Sequence, residues 1–236
     1  MISRIALALS IVLLAAGCLM PGAPEKEALV AVSNFLHPPF SSKDADGRPV
    51  GVEVEFVEEA ARRLGRRVEW REMAFGELID AVFWGKADIA GATIGITDGR
   101  MERVAFSNPY YRTNIVALTR PGAGEPRTLE ALRGRRVATD KGTTAVAATA
   151  KRIPEAIRVT ERPPGKTWAE LLLAGQVDAI VLDQSHVEKF SADAGAELVE
   201  IAEPLREEVF GLVVGKSARE LREALNEVIA ERVRGL

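Results

Sequence analysis

The stretch GKADIAGATIGITDGRMERVAFSNPYY, residues 85–111, decides how this chain is read. Its first part, ADIAGATIG, is apolar and small, and suits a buried strand running into a tight backbone site. Thr97 then stands as a helix N-cap, and the turn after it holds Asp98, Gly99 and Arg100. A guanidinium therefore sits in the first turn, where unpaired N–H groups already concentrate partial positive charge. Either Arg100 reaches away to solvent or a nearby glutamate, or an anion belongs beside it.

Outward from this stretch the chain alternates between strand and helix signals. Upstream, LVAVS (29–33) is a short apolar strand, and FLHPPFSSKDADGRP is a loop in which Pro38 and Pro39 forbid helix. Val54, Val57, Ala61 and Leu64 fall at helical spacing, and Gly65 stops that helix. RRVEWREM reads as a strand, and Phe75, Leu78, Ile79 and Val82 mark the next helix. Downstream, RTNIVALTR is extended, and after TLEALRG the alternation restarts. RRVATD, AIRVT, DAIVLD and VFGLVVG are strands. GTTAVAATAKRI, WAELLLAG, SHVEKFSADAG and SARELREALNEVIAERVR are helices, the last with Leu221, Leu225, Val228 and Ile229 on one face. Two consecutive βα series predict two α/β lobes with mainly parallel sheets. Ligands of such sheets sit outside the carboxyl ends of the strands.

The totals agree. With 236 residues, 47% of them hydrophobic, the chain can build one large α/β unit or two lobes. Its 31 basic and 34 acidic residues leave a net charge of −3, which offers no electrostatic reason to expect nucleic acid. Two histidines without an HExxH or CxxC pattern argue against a metal site, and no cofactor motif occurs. No GxSxG occurs, so a nucleophile triad has no support. The one cysteine, Cys18, follows an apolar run over residues 5–17, too short for an ordinary membrane span but right for a signal h-region. With Ala15, Ala16 and Gly17 before it, Cys18 resembles the lipidated cysteine of a bacterial lipobox, although Ala15 stands where that pattern more often has Leu. The reading is a lipoprotein-type signal over 1–18 and a tether over 19–27. An ordinary secretory signal containing a cysteine is the alternative.

Several residues could carry chemistry, each with a plainer role beside it. Gly142-Thr143-Thr144 opens a helix after a strand, and its free N–H groups make an anion site unless Thr143 caps them. Asp183 ends a buried strand and could take an ammonium group or cap the next helix. Phe75, Phe40 and His37 could stack on a ligand or pack locally. Glu53 and Glu55, entering a helix, read as structural.

Taken together, these segments resemble the polar amino-acid-binding proteins of bacterial ABC importers, which have the type II periplasmic-binding fold. The likeness runs from about Leu29 to the last helix, through PPFSSKDADGRPVGVEVEF, the opening stretch, GRRVATDKGTTA and GQVDAIVLD in order. It implies an α/β, two-lobed fold with two crossing hinge strands, at 111–114 and 207–210. Lobe one is then 28–110 plus 211–236, and lobe two 115–206. The resemblance also implies that Arg100 and the Thr144 N–H clamp a ligand carboxylate and that Asp183 takes the ammonium. Phe75 and His37 would flank the ligand side chain, with Thr143, Gly95, Thr93 and Asn34 completing the cleft. The implied protein is not an enzyme. It is an extracytoplasmic, lipid-anchored monomer delivering an amino acid to importer transmembrane subunits.

Three departures stand out. Gly95 replaces the Ser or Thr usual in that family, Asp140 stands where some members have a cation, and the family's tryptophan-bearing tail is absent after Leu236, which suggests a shortened carboxyl end. Two rival readings use the same scaffold. One is a cyclohexadienyl dehydratase-like enzyme with His186 as general acid. The other is a ligand-sensing subunit that reports to a partner chain.

Overall fold

The computed structural model describes residues 27–122 and 124–233. The signal over 1–18, Cys18 and most of the 19–27 tether lie outside the described residues. In chain order the strands and helices are β1 (Leu29–Ser33), β2 (Ser42–Lys43), β3 (Pro49–Val50), α1 (Val52–Arg63), β4 (Val68–Glu72), α2 (Leu78–Phe83), β5 (Ile89–Ala90), α3 (Asp98–Met101), β6 (Ala105–Phe106) and β7 (Tyr111–Thr119). There follow β8 (Arg136–Ala138), α4 (Thr144–Arg152), β9 (Ile157–Val159), α5 (Trp168–Leu173), β10 (Ala179–Asp183), α6 (Val187–Ala194), β11 (Val199–Glu200), β12 (Arg206–Phe210), β13 (Val213–Val214) and α7 (Arg219–Val233).

These strands form two main sheets. The first has the order β4-β1-β5-β13-β6; the second has β11-β7-β10-β8-β9, with β12 also paired to β7. In each sheet one strand runs against the rest. β13 is antiparallel to β5 and β6, and β7 is antiparallel to β10, β11 and β12. The others share one direction, as the parallel β1–β4, β1–β5, β8–β10 and β8–β9 pairs require. The chain leaves the first sheet through β7 and returns through β12 and β13. At that passage β12 and β7 pair over five positions, from Arg206 opposite Ile115 to Phe210 opposite Tyr111. Two crossing strands bonded to each other make a connection that can bend while its backbone groups stay paired.

Both faces of each sheet are covered, as parallel strands need. Leu29, Ala31, Phe56, Val57 and Ile89 pack with Leu221, Leu225, Val228 and Ile229 of α7 on one face of the first sheet. The apolar face read from the last helix is thus the face that docks. Val32, Leu78, Val82, Ile94 and Val213 form the core of the opposite face. In the second sheet Val137, Ala145, Ala148 and Val181 pack on one side, and Leu118, Trp168, Leu172 and Ile180 on the other.

Local signals were read with two corrections. The segment ADIAGATIG is strand only at Ile89–Ala90. From Gly91 onward it is a buried loop in which Thr93 takes φ 51°, and an extended strand cannot hold that angle. The loop over 94–96 instead runs beside the returning chain: Ile96 N–H donates to Val209 O, and Gly211 N–H donates to Ile94 O. VFGLVVG is likewise interrupted between Phe210 and Val213. A Cβ at Gly211 would stand 2.9 Å from the Ile96 side chain, so this crossing needs a bare backbone.

Candidate functional site

The carboxyl ends of the parallel strands in both sheets point into one cleft of about 660 Å³. β1 delivers Asn34 and His37, β4 delivers Phe75, and the loop after β5 delivers Thr93 and Gly95. From the other side β8 leads to Thr143 and Thr144, and β10 ends in Asp183. With Arg100, the nine expected cleft residues all line this single cavity.

The short helix forms as its cap predicts: Thr97 Oγ1 accepts from Arg100 N–H at 3.3 Å. The guanidinium does not reach away into solvent. It donates to Gly95 O at 2.7 Å and, across the cleft, to Gly142 O at 3.0 Å, and its centre stands 5.9 Å from the Phe75 ring. Two of its five N–H groups are engaged in this way and three are left for an anion. Burial pulls the Arg100 pKa down from its usual value, which marks the cost of a charge held out of water.

On the facing side Thr143 does not cap α4 with its hydroxyl, which donates instead to Asp140 O at 2.7 Å. Among the described residues no acceptor meets the Thr144 and Ala145 N–H groups, so the helix start is open toward the cleft. Asp183 does cap: its Oδ1 accepts from Ser185 N–H, Ser185 Oγ and Thr113 Oγ1. Its Oδ2 is buried without a partner. The capping role is thus observed, with one oxygen tied to the local turn and the other buried beside the cleft without a partner. Burial raises its pKa and the three donated hydrogen bonds oppose the rise.

His37 and His186 stack face to face across the cleft, ring centroids 4.4 Å apart. Asn34 Nδ2 donates to His37 Nε2 at 3.1 Å. The Thr93 hydroxyl already donates to Ala92 O, so His186 Nε2 is the donor in its 3.4 Å contact with Thr93 Oγ1. Burial holds both rings neutral. The His37 pKa is lowered to about 3, with His186 and Lys189 adding repulsion, and that of His186 to about 4.

Phe40 does not line the cleft. It is buried in an aromatic cluster at the crossing strands, 4.8 Å from Tyr111 and 5.9 Å from Phe210. Glu53 is structural, but in a way that reaches the site. Fully buried, its Oε1 accepts from Thr93 N–H at 2.9 Å and from the Tyr110 hydroxyl, and so ties the strained Thr93 loop to α1. Sequence reading passed over Glu208 as a cleft residue. Its only signal was the strand alternation of Glu207 with Glu208 in REEVF.

Residues 29–234 match the family described as bacterial extracellular solute-binding proteins, family 3. The chain belongs to this family. Among the relatives of this solute-binding protein is the L-cystine-binding protein TcyJ of Escherichia coli K12, 26% identical over 208 residues, or 88% of this chain and 78% of that one. The L-arginine-binding protein of Pseudomonas aeruginosa is 29% identical over 201 residues, 82% and 78% of the two chains. Among solved structures, holo ArgBP from T. maritima superposes with a TM-score of 0.74 at 32% identity, over 87% of this chain and 90% of that one. The ancestral amino acid-binding protein AncCDT-1, a precursor of cyclohexadienyl dehydratase, gives 0.75 at 25% identity over 88% and 90%. In the solute-binding protein described here, contacts from both sheets already bridge the cleft: the histidine stack, the Arg100 bond to Gly142 and the Thr93–His186 contact. The arrangement is that of a closed cleft.

Proposed function

We propose that this extracytoplasmic solute-binding protein captures a polar amino acid between its two lobes for an ABC importer. One observation carries the reading. A guanidinium with three unused donors and an open helix start stand on the carboxylate side of a cavity whose other side presents an unmet Asp183 oxygen. A zwitterion meets all of these at once, and by touching both lobes it favours the closed state over the open one. The relatives that bind cystine, arginine and histidine support the solute class. Lobe one is 28–110 with 211–236, lobe two is 115–206, and the hinge lies at 111–114 and 207–210. In the dehydratase alternative His186 would be the general acid. Held neutral to about pH 4 and stacked on His37, it has no acidic proton to give at neutral pH, so binding rather than turnover is the favoured reading.

The test is calorimetric titration of the purified protein with arginine, histidine, glutamine, cystine and a neutral sugar. Saturable binding of at least one amino acid, and none of the sugar, is expected. Tight binding of the sugar alone would overturn the reading. A further part of the proposal is that the protein acts as a monomer tethered to the membrane through lipidated Cys18. Metabolic labelling with a fatty-acid probe should mark the wild-type chain and not Cys18→Ala. A mature chain that starts well beyond residue 18 would refute the anchor.

A further inference from the structure

Glu208 on β12 is the carboxylate that neither the fold nor the proposed zwitterion site uses. It is 2% exposed and lines the cleft. The Thr144 hydroxyl faces its carboxyl, and among the described residues no well-aligned hydrogen bond reaches either oxygen. Its nearest cation, Arg206 Nε, stands 3.4 Å away on the same strand and does not line the cavity. A buried carboxylate held by one hydroxyl and one long ion pair is poorly compensated, and a fold under no other demand would replace it.

The space it occupies is made for it. A Cβ at Gly95 would overlap Glu208 Oε1 and stand 2.7 Å from its Cδ. Gly95 has no positive φ and closes no turn. The reason for glycine here is room for the carboxyl of Glu208. The unmet polar side-chain atoms around the cavity are then Asn34 Oδ1, Asp183 Oδ2 and both oxygens of Glu208. All four of these buried atoms accept hydrogen bonds, whereas the unmet donors, three N–H groups of Arg100 and those of Thr144 and Ala145, belong to the carboxylate side of the site. A cavity with this inventory calls for a ligand group rich in N–H donors.

We propose that Glu208, seated over Gly95, is a ligand-binding residue that joins Asp183 in a two-carboxylate receptor for a primary ammonium group of the solute. The β12–β7–β10 register supports the convergence. Glu208 lies opposite Thr113 on one side of β7, and Thr113 Oγ1 donates to Asp183 on the other. A bare ammonium has three N–H donors to distribute over the two acids, and an acylated nitrogen has one and no charge. The electrostatics agree: burial above all, and the neighbouring Asp183 charge, push the Glu208 pKa up against Arg206, the Thr144 hydroxyl and Arg100, and a cation between the two acids would oppose both effects. This inference deepens the amino-acid reading and rests on it for the identity of the solute, not for the cation.

The experiment titrates wild type and Glu208→Gln with arginine, histidine and glutamine, with the Nα-acetyl form of each, and with 1,5-diaminopentane, which has ammonium groups and no carboxylate. Acetylation should weaken wild-type binding at least a hundredfold. Glu208→Gln should weaken binding of the free amino acid by a similar factor and add little to the loss on acetylation, because both changes remove one contact. Without ligand the Glu208→Gln protein should melt no lower than wild type, since a poorly compensated buried charge has been removed. Gly95→Ser should also weaken binding, because its side chain displaces the Glu208 carboxyl, and should add little to the loss in Glu208→Gln. If acetylation costs the same factor in wild type and in Glu208→Gln, the residue does not touch the ammonium and the proposal falls, while the amino-acid reading stands. If the diamine binds in a Glu208-dependent way and no amino acid binds, the receptor stands and the amino-acid reading falls. Binding of none of these probes overturns the receptor, and the amino-acid reading falls with it when cystine does not bind either.

Discussion

Arg100→Ala should lower amino-acid affinity by two orders of magnitude or more while the unliganded protein stays folded. Removing one member of a desolvated charge pair leaves its partner uncompensated, at a cost of roughly 2–5 kcal/mol. Here the loss has two sources. The guanidinium donors proposed to hold the ligand carboxylate disappear, and so does the bond from Arg100 to Gly142 O that ties the two sides of the closed cleft. The fold is spared because α3 is a four-residue helix and no buried residue lies in it. Amidation of the ligand carboxylate should damage wild-type binding to a similar degree and Arg100→Ala only slightly further, since both changes remove one contact. Calorimetric titration of both proteins with ligand and amide measures this. Additive losses would show that Arg100 acts on closure alone and does not touch the carboxylate.

Glu53→Gln should stabilise the protein above pH 7 and leave it almost unchanged near pH 4. Burial raises the folded-state pKa of Glu53 to about 7 against an ordinary 4.5, opposed by hydrogen bonds from Tyr110 and Thr93. The unfolded chain therefore releases this proton as pH rises past 4.5, while the folded chain keeps it until about 7. Over that window the unfolded state binds fewer protons, so stability falls as pH rises. Above 7 both states are ionised and the loss is complete. At about 1.4 kcal/mol per decade it amounts to something on the order of 3 kcal/mol. Glutamine keeps an acceptor for Thr93 N–H and the Tyr110 hydroxyl, and places an uncharged NH₂ where Oε2 lies unmet. Denaturant unfolding of both proteins from pH 4 to 8 gives the difference curve. A difference that does not grow between pH 4.5 and 7 would show that Glu53 is not the titrating group. Loss of ligand affinity in this variant without loss of stability would show instead that the Thr93 loop depends on the charge.

How much of this could be read without coordinates follows from the range of each signal. Helices α1 and α7 were legible because an apolar stripe at 3.6-residue spacing fits within one element; Val57, Ala61 and Leu64 meet the four α7 residues in the first core, which Val54 does not join and Phe56 and Ala60 do. The Thr97 cap was legible because a cap needs only three following residues. The central strands β1 and β10 were legible because both faces of their sheets are covered, which leaves the apolar runs LVAVS and AIVLD. The order of those runs placed a ligand at the strand ends, and it took the resemblance to a known family to name the nine positions, which do surround one cavity.

Tertiary structure decided what depends on segments far apart in the chain. Phe40 left the cleft because Tyr110, Tyr111 and Phe210, brought together only at the crossing strands, take its ring. His37 and His186 are 149 positions apart, and no local pattern says that they stack. Glu207 and Glu208 are identical in type and adjacent in sequence. The register of β12 against β7 turns Glu208 into the cleft and leaves its neighbour exposed, because successive strand residues point to opposite faces. The sequence by itself determined two α/β lobes, their apolar faces and the strand ends at which a ligand could sit, since those follow from local period and capping. Which acids stand unmet in the cleft, and that Gly95 is empty to admit one of them, was decided only where three distant segments close on one another.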